Sequence, residues 1–365
     1  MTGDKSIQRA GDYANQTVIG TQINGITEER ATQIAKAQAS IAIREHYQQE
    51  AAIVAHGRIT RADQKIIAKL TAQELLDAFG EPAFLAAFQR AQIGAAQTDN
   101  EDDYDILANL LAERAKAVAS AVKSATLKAI EIVDLVDEKA LHGLTCLWLL
   151  SSVSAVSEDP AEGLDALEVI YNDILPPDLP GGRSWLGHLD SLNLIREDNS
   201  SKFKPFVDVI VSNSTSWVCQ GYTEAEIVDV VTEIRNLAKV NIDRNLIREH
   251  PYKAGYLRFK ARSRTAILDA IREFSANRGV ILEADTISKL EDLLEKMDSP
   301  DEGCKSGFEV DLMSRPTLKS TSEWLSQFEH FARLTPIGTA LAYTNAKRFH
   351  PLDGIRSLAE SLEYT

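Results

Sequence analysis

Apolar residues recur every three or four positions along most of this chain, a spacing typical of helices that bury one face. In the first half, a helix is expected from the cap Thr27 to about Glu50. The same pattern predicts further helices over Arg61–Phe79, Pro82–Ala96, Tyr104–Val136, Glu138–Val156 and Pro160–Ile174. Leu141–Val156 would be apolar nearly all round as a helix, so we expect it and Trp148 to be buried.

The second half shows the same periodicity with clearer start signals. Thr223 and Glu226 have the spacing of a capping box, which predicts a helix running past Arg248. Thr335 is a plausible cap and Pro336 a first helical residue. Phe206–Val211 is too short to decide between strand and helix. Further helices are predicted over Ser263–Arg278, Thr286–Met297, Ser322–Leu334 and Ile337–Lys347. The predicted fold class is therefore mostly α, a multi-helix body with little strand.

The first 25 residues differ from this helical pattern. They are rich in β-branched and small polar residues, and their alternation predicts a short β tract. Such a strand has too little apolar surface to stand alone, so it needs the body of the chain or another copy. We expect it to contribute to a homo-oligomer, with candidate contacts at Gln16, Val18, Ile19, Gln22 and Ile23.

Domain organisation follows from the strongest loop signal in the chain. Pro176–Gly182 contains three prolines and two glycines, which are typical of a boundary. We therefore predict an N-terminal tract at 1–25, an N-terminal helical domain at 26–180 and a C-terminal helical domain at 181–365.

Composition and charge limit the partners and the compartment that can be expected for this chain. A net charge of −15 repels nucleic acid and anionic membranes on average. No apolar run reaches the roughly 20 residues needed to span a bilayer, and no secretory signal is evident. Three widely separated cysteines favour a reducing compartment, so a cytoplasmic location is expected.

Catalytic and cofactor motifs are not evident. The seven histidines are scattered, and none has metal-ligand spacing to a second histidine or a cysteine. His188 has Asp190 nearby, but a structural histidine is the favoured interpretation. The acidic run Asp99–Asp103 lacks the glycine and distant glutamate of a calcium loop. We expect no cofactor, no metal site and no enzyme activity.

One stretch, the basic segment Arg244–Arg264, departs from the acidic average. Its cations are interleaved with aromatic residues, a combination that can track a nucleic-acid backbone and stack on bases. The alternative is that they pair with carboxylates of this chain, notably those between Glu283 and Glu302. The candidate anion or nucleic-acid patch comprises Arg244, Arg248, Lys253, Arg258, Lys260, Arg262 and Arg264.

Several short motifs resemble known proteins. Gln8–Gln16, continued by Val18–Gly20, resembles a Gly-Asp/Asn/Gln tract at the start of various bacterial conflict proteins. Most of the chain also resembles an uncharacterised bacterial helical family, through Glu81–Phe84, Leu107–Arg114 and Leu334–Ala342. The resemblance implies a protein of antiphage-defence or mobile-element neighbourhoods, and it supplies no catalytic residues.

Two functions from different classes follow. The first is a non-enzymatic, self-assembling sensor or adaptor of bacterial antiviral defence. Its expected partners are further copies of itself, a partner protein or a phage component. The alternative is a nucleic-acid-binding or regulatory protein that uses the basic segment. No membrane partner is expected.

Overall fold

A computed structural model describes residues 25–46, 50–155, 157–198, 200–352 and 357–363. The N-terminal β tract, with its candidate contacts Gln16, Val18, Ile19, Gln22 and Ile23, lies outside the described residues, apart from Gly25. The described chain is mostly helical, so the predicted fold class is confirmed.

Nine α-helices lie between residues 28 and 212 in the described part of the chain. They are α1 (Glu28–His46), α2 (Glu50–Ala72), α3 (Pro82–Gln97), α4 (Glu101–Lys116), α5 (Ser120–Ile130), α6 (Glu138–Ser152), α7 (Pro160–Ile174), α8 (Ser184–Ser191) and α9 (Phe206–Ser212), counted over the described ranges. Pro82 and Pro160 occupy the first helical positions of α3 and α7, where the missing N–H is not needed.

Seven more helices follow within the described part. They are α10 (Glu224–Ala238), α11 (Arg264–Ala276), α12 (Ala284–Leu293), α13 (Glu302–Met313), α14 (Pro316–Leu325), α15 (Pro336–Phe349) and α16 (Leu358–Glu363). The capping box at Thr223 and Glu226 opens α10 as predicted, and the Thr335 side chain caps α15. Residues 206–212 form a helix, so the short apolar run that could have been a strand or a helix is a helix.

Four short strands form two small antiparallel sheets in the described residues. They are β1 (Ile195–Asp198), β2 (Ile247–Glu249), β3 (Leu257–Phe259) and β4 (Phe331–Leu334). β1 pairs with β4, and β2 pairs with β3 as a hairpin. Neither pairing was predicted, because strands of three or four residues carry too little periodicity to detect.

Several predicted helix boundaries were wrong. The helix expected over Arg61–Phe79 is α2, which begins eleven residues earlier, at Glu50, and ends at Ala72. The single helix over Tyr104–Val136 is divided into α4 and α5, and Val118 in the break is 96% exposed. The helix expected past Arg248 ends at Ala238, because Lys239 adopts a left-handed conformation and the chain turns into the hairpin. The helix expected over Ser322–Leu334 ends at Leu325, and β4 follows it.

The hydrophobic core contains two main clusters. The larger one takes residues from 31–218 and from 304–358, so it includes side chains on both sides of position 180. The second lies within 222–297 and is built from α10, α11, α12 and the hairpin. The predicted division at 180/181 stays a prediction.

Helix α6 lies at the centre of the larger cluster. Leu144, Cys146 and Trp148 are fully buried, and the Trp148 ring packs edge-on against Tyr343 of α15 at 5.7 Å between centroids. The prediction of a buried helix around Trp148 is therefore confirmed, although α6 ends at Ser152 and Ser151 is exposed. Within the described residues, none of the helices combines the length and apolarity needed to cross a membrane.

Candidate functional site

The basic segment is mostly paired within the chain. Its hairpin and flanking loops lie between the second hydrophobic cluster and the loop that precedes α7. Arg248 forms an ion pair with Asp159, the N-cap of α7. Lys253 lies 2.8 Å from an Asp301 oxygen, and this hydrogen bond lowers the pKa of Asp301 to about 2.

Two further arginines of the basic segment bind backbone carbonyls of the same loop. Arg258 is fully buried and donates to the carbonyl oxygens of Glu158 at 2.5 Å and Phe259 at 3.2 Å. Burial lowers the pKa of Arg258 to about 10, so its guanidinium stays charged at neutral pH. Arg262 donates to the Ala155 oxygen at 2.8 Å. These two cations therefore stabilise the fold and are not free to bind a ligand.

The remaining cations of the segment do not form a continuous patch. Arg264 lies 2.8 Å from an Asp298 oxygen, within the acidic stretch that the sequence suggested as a partner. Lys260 is exposed and 3.8 Å from Glu158, and Arg244 is exposed. A nucleic-acid surface would need several free cations in one row, and this geometry offers two at most.

The hairpin also carries a histidine–cysteine contact that sequence spacing could not reveal. Cys304 Sγ lies 3.9 Å from His250 Nδ1, and both side chains are buried. Nδ1 accepts from the Tyr252 backbone N–H, so Nε2 donates to the Cys219 oxygen. Burial lowers the pKa of His250 to about 4 and raises that of Cys304 to about 12. A protonated thiol beside a neutral imidazole lacks the thiolate that nucleophilic chemistry requires.

His188 and the acidic run have structural roles. His188 Nε2 lies 3.1 Å from the Leu135 oxygen, and its ring does not hydrogen-bond Asp190. Asn100 caps α4, and the buried carboxylate of Asp103 accepts from the Thr98 hydroxyl at 2.6 Å. Among the residues that the structure describes, no group of histidine, cysteine and carboxylate side chains has the geometry of a metal site.

A cleft of about 560 Å³ lies where α2, α4 and the end of α15 meet. Four cations line it, and we name it the cationic cleft: Lys65, Lys69, Lys347 and Arg348. Alanine side chains at positions 68, 72 and 108 leave space between these cations, and Phe349 lies at the end of α15. The spacing of Lys65 and Lys69 places both on one face of α2.

Lys69 differs from the other three cations of the cleft. Lys65 is bound by Asp105 at 3.0 Å, Lys347 by Glu113 at 2.6 Å, and Arg348 by Asp102. Lys69 makes no hydrogen bond or ion pair with any residue that the structure describes. Burial lowers the pKa of Lys69, and the neighbouring ammonium groups of Lys347 and Lys116 lower it further, against the smaller opposing attraction of Glu113 and Asp105. An anion placed here would relieve that repulsion.

The opposite trend holds for Lys65 and Lys347. Burial by itself would lower both pKa values, but the hydrogen bonds that Lys65 and Lys347 donate to carboxylates, together with the charge of those carboxylates, outweigh it and raise them. These two ammonium groups are therefore firmly charged, and both border the cleft. Lys69 adds the one cation here that lacks a carboxylate partner in the described chain.

Arg348 is held by a polar chain that extends into the core. Its guanidinium donates to the Asn345 oxygen at 2.9 Å, and the fully buried Asn345 amide donates to the Thr145 hydroxyl of α6 at 2.9 Å. Only 9% of the Arg348 side chain is exposed. Such a connected network fixes a side chain in one position, so Arg348 is already oriented at the cleft.

Sequence reasoning missed the cationic cleft. Lys65 and Lys69 lie in α2, whereas Lys347 and Arg348 lie in the last turn of α15, where cations also favour the helix dipole. Neither pair stands out from an ordinary helix surface. The i, i+4 pair of lysines without an intervening acid on α2 was the available signal, and it is weak.

A larger groove, about 640 Å³, lies elsewhere. Its floor includes Leu147, Val209 and Leu334, and exposed Lys202 and Arg333 line its rim. These cations are exposed to water, where an unpaired charge costs little. Neither of these two cations is therefore half-buried beside like charges, as Lys69 is.

Comparison with known proteins assigns the chain to a family. The model of an uncharacterised protein family matches residues 25–354. The chain belongs to this family. The matched range contains both the cationic cleft and the basic segment, and it begins after nearly all of the N-terminal tract. No curated protein matches the chain. No solved structure matches it either.

Proposed function

We propose that this chain is a non-enzymatic sensor or adaptor that binds a phosphate-bearing anion in the cationic cleft. The observation that carries the proposal is Lys69, a half-buried ammonium with other ammonium groups nearby and no carboxylate partner in the described residues. Phosphate oxygens accept charge-assisted hydrogen bonds from lysine, and they bring the negative charge that the position lacks.

Self-association through residues 1–25 and a setting in cytoplasmic antiviral defence complete the proposal. The first rests on the alternating β pattern of the tract, and the second on the resemblance of its opening residues to bacterial conflict proteins. A partner protein or a phage component would be the adaptor's target. The alternative, nucleic-acid binding through the basic segment, has less support because most of its cations are paired within the chain.

Inorganic pyrophosphate tests the cleft directly. A ligand that binds only the folded protein raises the free energy of unfolding, by about 1.4 kcal/mol at ten times its Kd. We expect pyrophosphate to raise the Tm and Lys69→Gln to weaken its binding at least tenfold. Without ligand, Lys69→Gln should be at least as stable as the original protein, because it loses no ion-pair partner and removes a half-buried charge that Lys347 and Lys116 repel.

Lys289→Gln is the matched control. Lys289 is exposed on α12 and pairs with Asp285 at 2.7 Å, outside the cleft. Chloride at equal ionic strength controls for general screening. Equal pyrophosphate binding by the Lys69→Gln and Lys289→Gln proteins, or no stabilisation by millimolar pyrophosphate, would show that the cleft is not an anion site.

A further inference from the structure

The chemistry of the cationic cleft extends beyond charge. Phe349, the last residue of α15, borders the cleft and is 43% exposed. The Arg348 guanidinium lies over its ring, 4.8 Å from the centroid. A single exposed phenylalanine is unremarkable on a protein surface. This one is distinctive because it lies beside four cations and a space large enough for a ligand.

The size and lining of the space agree with a small organic ligand. A volume of about 560 Å³ falls within the roughly 300–1,000 Å³ of small-molecule sites. Alanines at positions 68, 72 and 108 keep the middle of the cleft open. An inorganic anion would fill only the part near Lys69, and it would leave the aromatic end unused.

We infer that the ligand is a nucleoside polyphosphate, with its base stacked against Phe349 and its phosphates at Lys69 and Lys347. Every nucleobase has a flat face that stacks on an aromatic ring, and a neighbouring guanidinium strengthens such a stack. The phosphate chain supplies the negative charge that Lys69 lacks. This inference rests on the proposed function, since it names the class of anion that the cleft would hold.

The cleft also contains carboxylates that restrict where the phosphates can lie. Asp105 lines it, and Glu113 lies behind Lys347. Lys65 is already paired with two carboxylates, Asp105 at 3.0 Å and Glu101 at 3.2 Å, whereas Lys347 shares its one carboxylate, Glu113, with Lys116. The phosphates are therefore assigned to Lys69 and Lys347, and the base to the Phe349 ring.

Calorimetric titration of the full chain with ATP, GTP, CTP, UTP, pyrophosphate and adenosine tests this inference. We expect at least one nucleotide to bind about tenfold or more tightly than pyrophosphate, and adenosine to bind far more weakly than ATP. Phe349→Leu should weaken nucleotide binding about tenfold and leave pyrophosphate binding unchanged. Lys69→Gln should weaken both.

Phe274→Leu is the matched control, because Phe274 on α11 is 48% exposed and lies outside the cleft. It should leave all affinities unchanged, and circular dichroism checks that each variant folds. If pyrophosphate binds as tightly as every nucleotide and Phe349→Leu has no effect, the nucleotide inference is wrong and the anion site stands. If neither pyrophosphate nor any nucleotide binds, or adenosine binds as tightly as ATP, the anion site itself is rejected.

Discussion

At the scale of single residues, Asp63 is a buried carboxyl group outside the cleft with an unusual pKa. It lies on α2 beneath α1 and α3, and only 8% of it is exposed. The Gln92 amide donates to both of its oxygens at 3.1 Å and also to the Ala35 carbonyl. Burial nevertheless raises the pKa of Asp63 from 3.8 to about 7. One hydrogen-bond donor therefore does not compensate for the lost hydration.

Asp63 should make stability fall with rising pH. Because its pKa is higher in the folded protein, the folded state holds the proton more tightly, and this stabilisation is lost as pH rises from about 4 to about 7. Asp63→Asn removes the charge and keeps the size. We expect the variant to gain about 2 kcal/mol of unfolding free energy over the original protein between pH 5 and pH 8, at about 1.4 kcal/mol per pKa unit.

Urea unfolding at pH 5 and pH 8 measures this difference, and the other titrating groups cancel in the comparison. Asp269→Asn serves as a control, since that carboxylate is exposed on α11. Parallel pH dependence in the Asp63→Asn and original proteins would show that Asp63 is charged in the folded state without penalty.

At the scale of elements, one glycine sets the position of α15 against the strand β1. A Cβ on Gly338 would lie 2.0 Å from the carbonyl oxygen of Leu194, and backbone cannot yield as a flexible side chain would. The same contact brings the Thr335 hydroxyl within 2.7 Å of the Asn193 oxygen. This close approach holds the start of α15, whose other end forms part of the cationic cleft.

Alanine substitution of two helical glycines should therefore have opposite effects. Gly338→Ala should lower the free energy of unfolding by about 2 kcal/mol or more, because it forces α15 away from β1. Gly57→Ala in α2 should raise the free energy of unfolding by roughly 0.5–1 kcal/mol, since nothing lies within 4 Å of the added Cβ and alanine favours a helix. Chemical denaturation of both variants gives the comparison. Similar changes in the two would mean that the Leu194 contact relaxes easily.

The basic segment shows how an element can mislead when its sequence alone is considered. Arg248, Arg258 and Arg262 all bind the stretch from Ala155 to Asp159. They join the hairpin of the second hydrophobic cluster to the start of α7 in the larger one. Cations that resemble a ligand surface in sequence are thus contacts between two parts of the core.

At the scale of the whole molecule, the two hydrophobic clusters share this contact region. The Trp217 ring of the larger cluster packs against Phe308 at 5.7 Å between centroids, near the place where residues 218–220 lead into the second cluster. The chain returns to the larger cluster through α13. Both crossings lie beside the basic segment, so its ion pairs hold the two parts together where the chain passes between them.

Self-association is the expectation that belongs to this scale. We expect full-length protein to form a homo-oligomer at micromolar concentration, because a lone β tract needs a partner for its backbone groups. A truncated protein that starts at Ile26 should form a smaller oligomer or a monomer and should remain helical. Light scattering gives both masses, and circular dichroism checks the truncated fold. A full-length monomer would refute the proposed role of the tract.

The sequence by itself determined the helical class and several helix starts. Caps at Thr223 and Thr335 and the prolines that open α3 and α7 act within one turn of backbone, so local residues are sufficient to predict them. The burial of Trp148 was also predictable, since a helix that is apolar nearly all round has no face to give to water.

Only the tertiary structure decided the division of α4 from α5, the partners of the basic segment and the existence of the cationic cleft. Val118 continues the apolar period of α4, yet it lies in the break because two shorter helices pack against each other and one long helix would not. Lys69 and Lys347 are 278 positions apart, and each has an ordinary sequence environment. Their repulsion arises because α2 and α15 both pack against α4, which brings the two lysines to one cleft, and no local pattern records that neighbourhood.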